Sequence, residues 1–324
     1  MRSLNTVRLL AASVSLTSAL ILMIWPEAAT AATPAAQSFL QPMGPVAEEQ
    51  ATHLLRVVAI TMIVILPVLI GVPVLLWRYR LNSEKAKYTP EWESSGRLEL
   101  VLWGVPVVIV IVLASWLWYS TSKLDPYKPL GENPLQVQAI GLDWKWVFIY
   151  PEAGVATVDE LAIPVGRPVE LTLTTDTVMQ SMLIAPLAGQ IYAMPGMTTK
   201  LNFSAARTGT AEGENTQFNG NGFGRQKFTV IALEPDGYDA WVSRARSAPM
   251  LDDATYAVLR RRSVLADARA DLELSRDATP LYFSGPDSAL FQRVVEKYHR
   301  SGTASDMEEL GGTGLPPQGG ADHE

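Results

Sequence analysis

The side chains that could bind a metal or carry an electron are scarce. There is no cysteine, and the histidines are His53, His299 and His323. Thiolate metal sites, disulfides, thioether haem attachment and lipidation at an N-terminal cysteine are excluded together. A mononuclear blue-copper site needs two imidazoles and a thiolate converging on one ion, and no histidine lies between His53 and His299. The remaining soft donors in the middle of the chain include Met179, Met182, Met194 and Met197. Met194-x-x-Met197 is one weak pair for Cu(I) with no histidine beside it, so methionine as adaptable core filler accounts for them better. Arg260, Arg261 and Arg262 form a basic run in an acidic region, read as a solvated helix face pairing with nearby carboxylates. A formal net charge of -7 leaves no basic footprint for nucleic acid.

The elements that position these residues begin with three apolar segments. Leu9 to Trp25 follows Arg2 and Arg8 and precedes PEAATAATPAA. A positive start, a short apolar run and small residues read as a secretory signal over residues 1–31, with Ala29-Thr30-Ala31 as the cleavage motif. An uncleaved anchor is the rival reading, because the run nearly reaches spanning length. Residues 57–77 and 100–119 are then free of charge, inside a hairpin expected over 50–122. At about 1.5 Å per residue each covers about 30 Å, the thickness of the hydrocarbon core. Between them lie Arg78, Arg80, Lys85, Lys87 and Arg97, against Arg56, Lys123 and Lys128 on the outer flanks. The positive-inside rule puts the connecting loop in the cytoplasm and both ends of the mature chain outside. Trp116, Trp118 and Tyr119 close the second span as an interfacial belt, and Asp125 and Lys128 mark the membrane surface beyond it.

The pattern then changes. Over residues 134–235, short β-prone runs divided by Gly, Pro and Asp predict an exported Greek-key sandwich or barrel. Residues 236–300 read as helical: YDAWVSRARSA, then DDATYAVLRRRSVLADARADLEL opening on an Asp cap, then a helix beginning near Asp287. The Gly-rich, acidic tail 301–324 reads as disordered. The expected fold class is a membrane α hairpin followed by an all-β domain and a C-terminal helical extension.

GLDWKWVFIYPE, TDTVMQSMLIAPLAGQIYAMPGMTTKLNF and FGRQKFTVIALE, preceded by RLELVLWGVPVVI, occur in one order along the chain. Together they resemble subunit II of haem–copper terminal oxidases over about residues 50 to 300. PLYFSGPDSALFQRVVEKYHR resembles the aromatic-containing region of the quinol-oxidising branch. The resemblance implies a cupredoxin fold for the β-domain. In the cytochrome c-oxidising branch that domain holds a binuclear copper centre on two histidines, two cysteines, a methionine and a glutamate carbonyl. In the family register those positions fall on Gln180 and Gln226 for the histidines, Phe218 and Gly222 for the cysteines, Thr229 for the methionine and Gly220 for the glutamate. Every side-chain ligand is replaced.

The resemblance therefore implies a copper-less subunit that binds no cofactor itself. Haem and copper are expected in the partner subunit I, to which a quinol gives its electrons directly. The expected function is a non-catalytic subunit of a proton-pumping quinol oxidase in the bacterial inner membrane. Its expected partners are subunit I, smaller membrane subunits and the bilayer, with ubiquinol as the substrate of the complex. A free-standing tethered binding module or an oxidase assembly factor is the competing reading. Two further expectations concern single residues. Glu99, at the cytoplasmic start of the second span, lies in the family near the mouth of a proton channel, although a carboxylate there also suits the helix dipole. Trp144 and Trp146, alternating on one strand, are expected to face one side and to form a surface docking on subunit I.

Overall fold

The computed structural model describes residues 38–80, 91–274 and 281–299. The expected signal 1–31, the tail 301–324 and the loop residues Lys85 and Lys87 lie outside the described residues. Two helices come first, α1 over Pro45–Arg78 and α2 over Gly96–Lys123. Both are long and apolar enough to cross a membrane, and their apolar side chains face outward. Such surfaces, on backbones whose polar groups are satisfied within the helix, suit hydrocarbon.

Each helix outruns the apolar stretch read from the sequence. The 34 residues of α1 reach about 50 Å, well beyond a hydrocarbon core of about 30 Å. The surplus lies at its outer end and is spent on the β-domain. Met43 enters the sandwich core, and Gly44 sits too close to the Ser204 carbonyl for any side chain. Ala47 and Ala51 in the next turns are buried. Two contacts join the outer ends of the helices: Lys123 to Glu49 at 3.0 Å, and the His53 and Trp116 rings at 4.8 Å.

The domain is a sandwich of two sheets. One has the strand order β11-β3-β2-β1-β5-β8, from Leu281–Ser284, Val155–Val158, Lys145–Tyr150, Leu135–Leu142, Val169–Thr175 and Thr199–Phe203. The other runs β4-β10-β9-β6-β7, from Glu160–Pro164, Lys227–Leu233, Gly209–Asn215, Gln180–Leu183 and Gln190–Ala193. The pairs β1–β5 and β4–β10 are parallel and the other pairings antiparallel. Between the sheets lie Trp146, Phe148, Tyr150, Leu161, Leu173 and Phe203. Side chains of this kind contribute about 1.5–3 kcal/mol each when fully buried.

A second core forms on the outer face of β1, β2 and β3, where Ile140, Val147 and Ile149 meet Leu259, Phe291 and Val294 of the C-terminal extension. This second layer explains why all six residues of β2 are buried. A strand covered on both faces reads as a continuous apolar run rather than an alternation.

The extension is mainly helical, with one strand that the sequence reading did not foresee. It contains α3 (Pro235–Arg246), α4 (Asp253–Leu259), α5 (Leu265–Asp271) and α6 (residues 290–299), but also β11, which pairs antiparallel with β3. The single helix expected after Asp252 begins as foreseen, with Asp252 Oδ1 accepting from Thr255 N at 2.8 Å. It then breaks between α4 and α5. There the Arg261 and Ser263 carbonyls accept from Lys145 Nζ at 3.1 and 2.5 Å instead of continuing the helical ladder.

Candidate functional site

Three segments meet at one end of the sandwich: the β1–β2 turn, the approach to β6 and the loop from β9 to β10. Gln180, the first residue of β6, donates through Nε2 to the Leu142 carbonyl at 2.9 Å and to Thr177 Oγ1 at 3.2 Å. Gln226, just before β10, donates through Nε2 to Gln180 Oε1 at 2.7 Å. Its own Oε1 accepts from Asn219 Nδ2 at 2.7 Å and from Asn215 Nδ2 at 3.0 Å. Asn215 Oδ1 in turn accepts from Ser181 N at 2.9 Å. All four amide side chains are buried.

Carboxamides carry a donor and an acceptor on one group, so they can chain across a dry space without charge. Such a cluster ties three loops together by hydrogen bonds. It offers copper neither thiolate nor imidazole, so a copper centre does not fit these residues.

Gly222, Gly220 and Phe218, three further residues of the expected register, lie in the loop between β9 and β10. Gly222 is packed so closely under the Trp144 indole that a Cβ would overlap the ring. Gly220 adopts φ +114, a conformation that favours glycine. Phe218 is 71% exposed, with its ring 5.7 Å from that of Phe223. Thr229 stands apart on the exposed face of β10, opposite Glu160 in the strand register. Of the four core-filler methionines, Met182 is fully buried, whereas Met179 and Met197 are exposed.

The two tryptophans do not share a strand face. Trp144 occupies the β1–β2 turn at φ +68, while Trp146 is fully buried between the sheets. The turn inserts a left-handed residue between them and breaks the alternation that a straight strand would have imposed. Trp146 can therefore dock on nothing outside the domain. Trp144 is half-buried, donates to the Asn219 carbonyl at 3.4 Å and lies under Arg262, whose Cζ is 5.4 Å from the ring centre. Arg262 also pairs with Asp143 at 3.3 Å, and Arg261 with Asp271 at 3.9 Å. The basic run thus pairs with carboxylates as expected, although from a helix break instead of a helix face.

Sequence reasoning missed three ionisable residues that fix the extension onto the sandwich. Lys145 Nζ is held by the Asp143, Arg261 and Ser263 carbonyls and by Ser263 Oγ. Burial pulls its pKa down to about 8 against the opposing pull of Asp159 and Asp143. Glu160 Oε1 accepts from Trp241 Nε1 and Tyr282 OH, both at 2.8 Å. Asp176 accepts from Tyr256 OH at 3.1 Å, Tyr298 OH at 3.2 Å and Lys297 Nζ at 2.5 Å. Beside Lys145, Asp159 takes φ +58 and accepts from Trp146 N at 2.7 Å. Desolvation raises its carboxyl to about 7 despite that bond and the Lys145 charge. The available sequence signal was a charge inside an apolar run, as in WKWVFIY.

No family model matches the chain. It is 37% identical over 290 residues to the cytochrome bo(3) ubiquinol oxidase subunit 2 of Pseudomonas aeruginosa, spanning 89% of this chain and 82% of that protein. It is 37% identical over 265 residues to the ubiquinol oxidase subunit 2 of Acetobacter aceti, covering 80% and 82% of the two chains. Among solved structures, the periplasmic domain of cytochrome oxidase subunit II from Bradyrhizobium japonicum matches 36% of this chain and 95% of its own, at 22% identity and a TM-score of 0.34.

Two helices long and apolar enough to span a membrane, followed by a two-sheet β-sandwich, define a membrane-anchored β-domain protein. The chain belongs to the ubiquinol oxidase subunit 2 family. It is an inner-membrane protein whose β-domain lies on the periplasmic side.

Proposed function

We propose that this chain is the non-catalytic subunit of a proton-pumping quinol oxidase and supports the assembly and stability of the haem–copper subunit I. The buried amide cluster of Gln180, Gln226, Asn215 and Asn219 carries the reading. A respiratory subunit with hydrogen-bonded carboxamides in this place holds loops in position and leaves electron transfer to its partner. The reaction would belong to subunit I, whose haem and copper would supply the redox chemistry by which two quinols give four electrons and four protons to one oxygen molecule, yielding two waters.

Two surfaces suit the partnership. Part of the outward apolar surface of α1 and α2 suits neighbouring helices, because packing in a bilayer comes from van der Waals contact with such neighbours. Pro67, Pro73 and Pro106 interrupt the helical ladder and add carbonyls for those neighbours to satisfy. At the loop end of the sandwich, Phe218, Val178 and Met179 are exposed and supply the apolar part of a docking face. Glu99, exposed in the first turn of α2, stands at the cytoplasmic end and is assigned to proton uptake. Glu99→Gln is expected to lower protons pumped per electron in an assembled complex, and an unchanged ratio would make it a solvated carboxylate only.

The test of the whole reading is affinity capture of this chain from native membranes, followed by oxygen uptake with reduced quinol and with reduced cytochrome c. Uptake with quinol only, from a haem-containing complex, is the expected result. Capture without haem or oxygen consumption would turn the reading towards a tethered binding module.

A further inference from the structure

Beneath the sandwich, between the outer ends of the two helices and the linker to β1, is a cavity of about 370 Å³. It has the size of a small-molecule site. Its walls include apolar groups, among them Leu124 and Leu201, and a ring of polar side chains from Glu49, Gln50, Lys123, Asp125 and Lys128. The charges fall into two sets. Lys123 and Glu49 neutralise each other at 3.0 Å and tie α2 to α1. Asp125 and Lys128 have no ion-pair partner among the described residues, though one turn holds them together, with Lys128 N donating to the Asp125 carbonyl at 3.1 Å. Asp125 Oδ1 also accepts from Tyr127 N at 2.9 Å. The cavity is thus lined by one carboxylate and one ammonium that no ion pair neutralises among the described residues.

Its depth is set by the spans. Lys123 lies four residues beyond Tyr119, about 6 Å along the helix. Headgroups occupy roughly 5–8 Å outside the hydrocarbon on each side. The cavity therefore opens at headgroup level in the outer leaflet, and the exposed apolar sides of α1 and α2 continue downward from it.

We propose that this cavity binds the headgroup of one outer-leaflet phospholipid carrying a primary ammonium, of the phosphatidylethanolamine type. Lys128 meets the phosphate. Asp125 and the amide oxygen of Gln50 accept from the ammonium, and the acyl chains run down the helix surface. A quaternary ammonium has no N–H to give these acceptors, and an anionic headgroup leaves Asp125 unmatched. Bound there, the lipid fills the space under the linker and joins hairpin to domain.

The experiment uses the complete complex reconstituted in nanodiscs of phosphatidylethanolamine, phosphatidylcholine or phosphatidylglycerol, then re-extracted, with retained lipid counted by mass spectrometry. The expected result is one phosphatidylethanolamine held per complex, retained at least tenfold better than the other two lipids. Lys128→Glu and the cavity-filling Gln190→Trp should lower that retention at least tenfold. Equal retention of all three headgroups, or unchanged retention in both variants, overturns the proposal. A photoreactive amino acid at position 130 in the otherwise native chain covers the case in which the variants fail to assemble. A crosslink to phospholipid supports the site, and a crosslink to a polypeptide or none at all refutes it. None of these readouts depends on oxidase turnover, so the site and the oxidase reading fail separately.

Discussion

Gln226 donates its side-chain amide to Gln180 Oε1 at 2.7 Å, joining residues 46 positions apart across the loop end of the sandwich. Both also reach the Leu142 carbonyl, at 3.3 and 2.9 Å, so β1 shares the same knot. Three chain segments are held there by polar bonds in a dry interior, where an unmade bond is costly.

Gln226→Leu keeps the volume but removes both hydrogen-bonding groups. The Asn219 and Asn215 amides then lose their common acceptor. Urea denaturation is expected to show a loss of about 1–3 kcal/mol with little change in slope.

Gly222→Ala places a methyl where the Trp144 indole lies. The ring must leave its seat, giving up its bond to the Asn219 carbonyl and its stacking under Arg262. The expected cost is about 1–3 kcal/mol, as for overpacking elsewhere. A red shift in tryptophan emission should accompany it and vanish when Trp144→Phe is added.

Asp159 gives stability a pH dependence of known sign. Its folded value of about 7 lies above the ordinary 3.8, so the folded state keeps a proton that the unfolded state releases. Stability from this group is complete below about pH 4 and lost as pH rises through 7. Asn at this position keeps an acceptor for Trp146 N and tolerates φ +58. Thermal unfolding of Asp159→Asn should therefore lack the decline between pH 4 and 7. At pH 8 the variant should gain on the order of 2 kcal/mol over the native protein.

Asp176→Ala removes the acceptor shared by Tyr256, Lys297 and Tyr298. The expected loss is about 2–4 kcal/mol. Hydrogen exchange should quicken in residues 290–299 before it does in β1 or β5, because α6 loses a polar anchor while the strands keep their ladder.

The sequence by itself determined the two spans, since apolar length and the absence of charge are local properties that depend only on the bilayer as solvent. It also determined that a copper–thiolate centre is impossible, since a chain without cysteine has no bridging ligand. The β character of the exported domain was legible in its short runs and turns.

The buried amide cluster was not legible. Asn215 and Asn219 look like loop residues until β9 and β10 bring them to Gln226, and Lys145 looks like an exposed strand residue until the Arg261–Ser263 carbonyls close over it. The helix break and β11 were hidden for the same reason. Local periodicity favours an unbroken helix after Asp252, but the buried ammonium of Lys145 needs carbonyl oxygens. A hydrogen bond to a charge from a residue more than a hundred positions away outweighs local helical preference. Likewise Trp144 and Trp146 alternate in sequence, yet one left-handed turn residue sends one ring to the loop surface and the other into the core. Such choices depend on which distant groups arrive at the same place, and only the tertiary structure decides that.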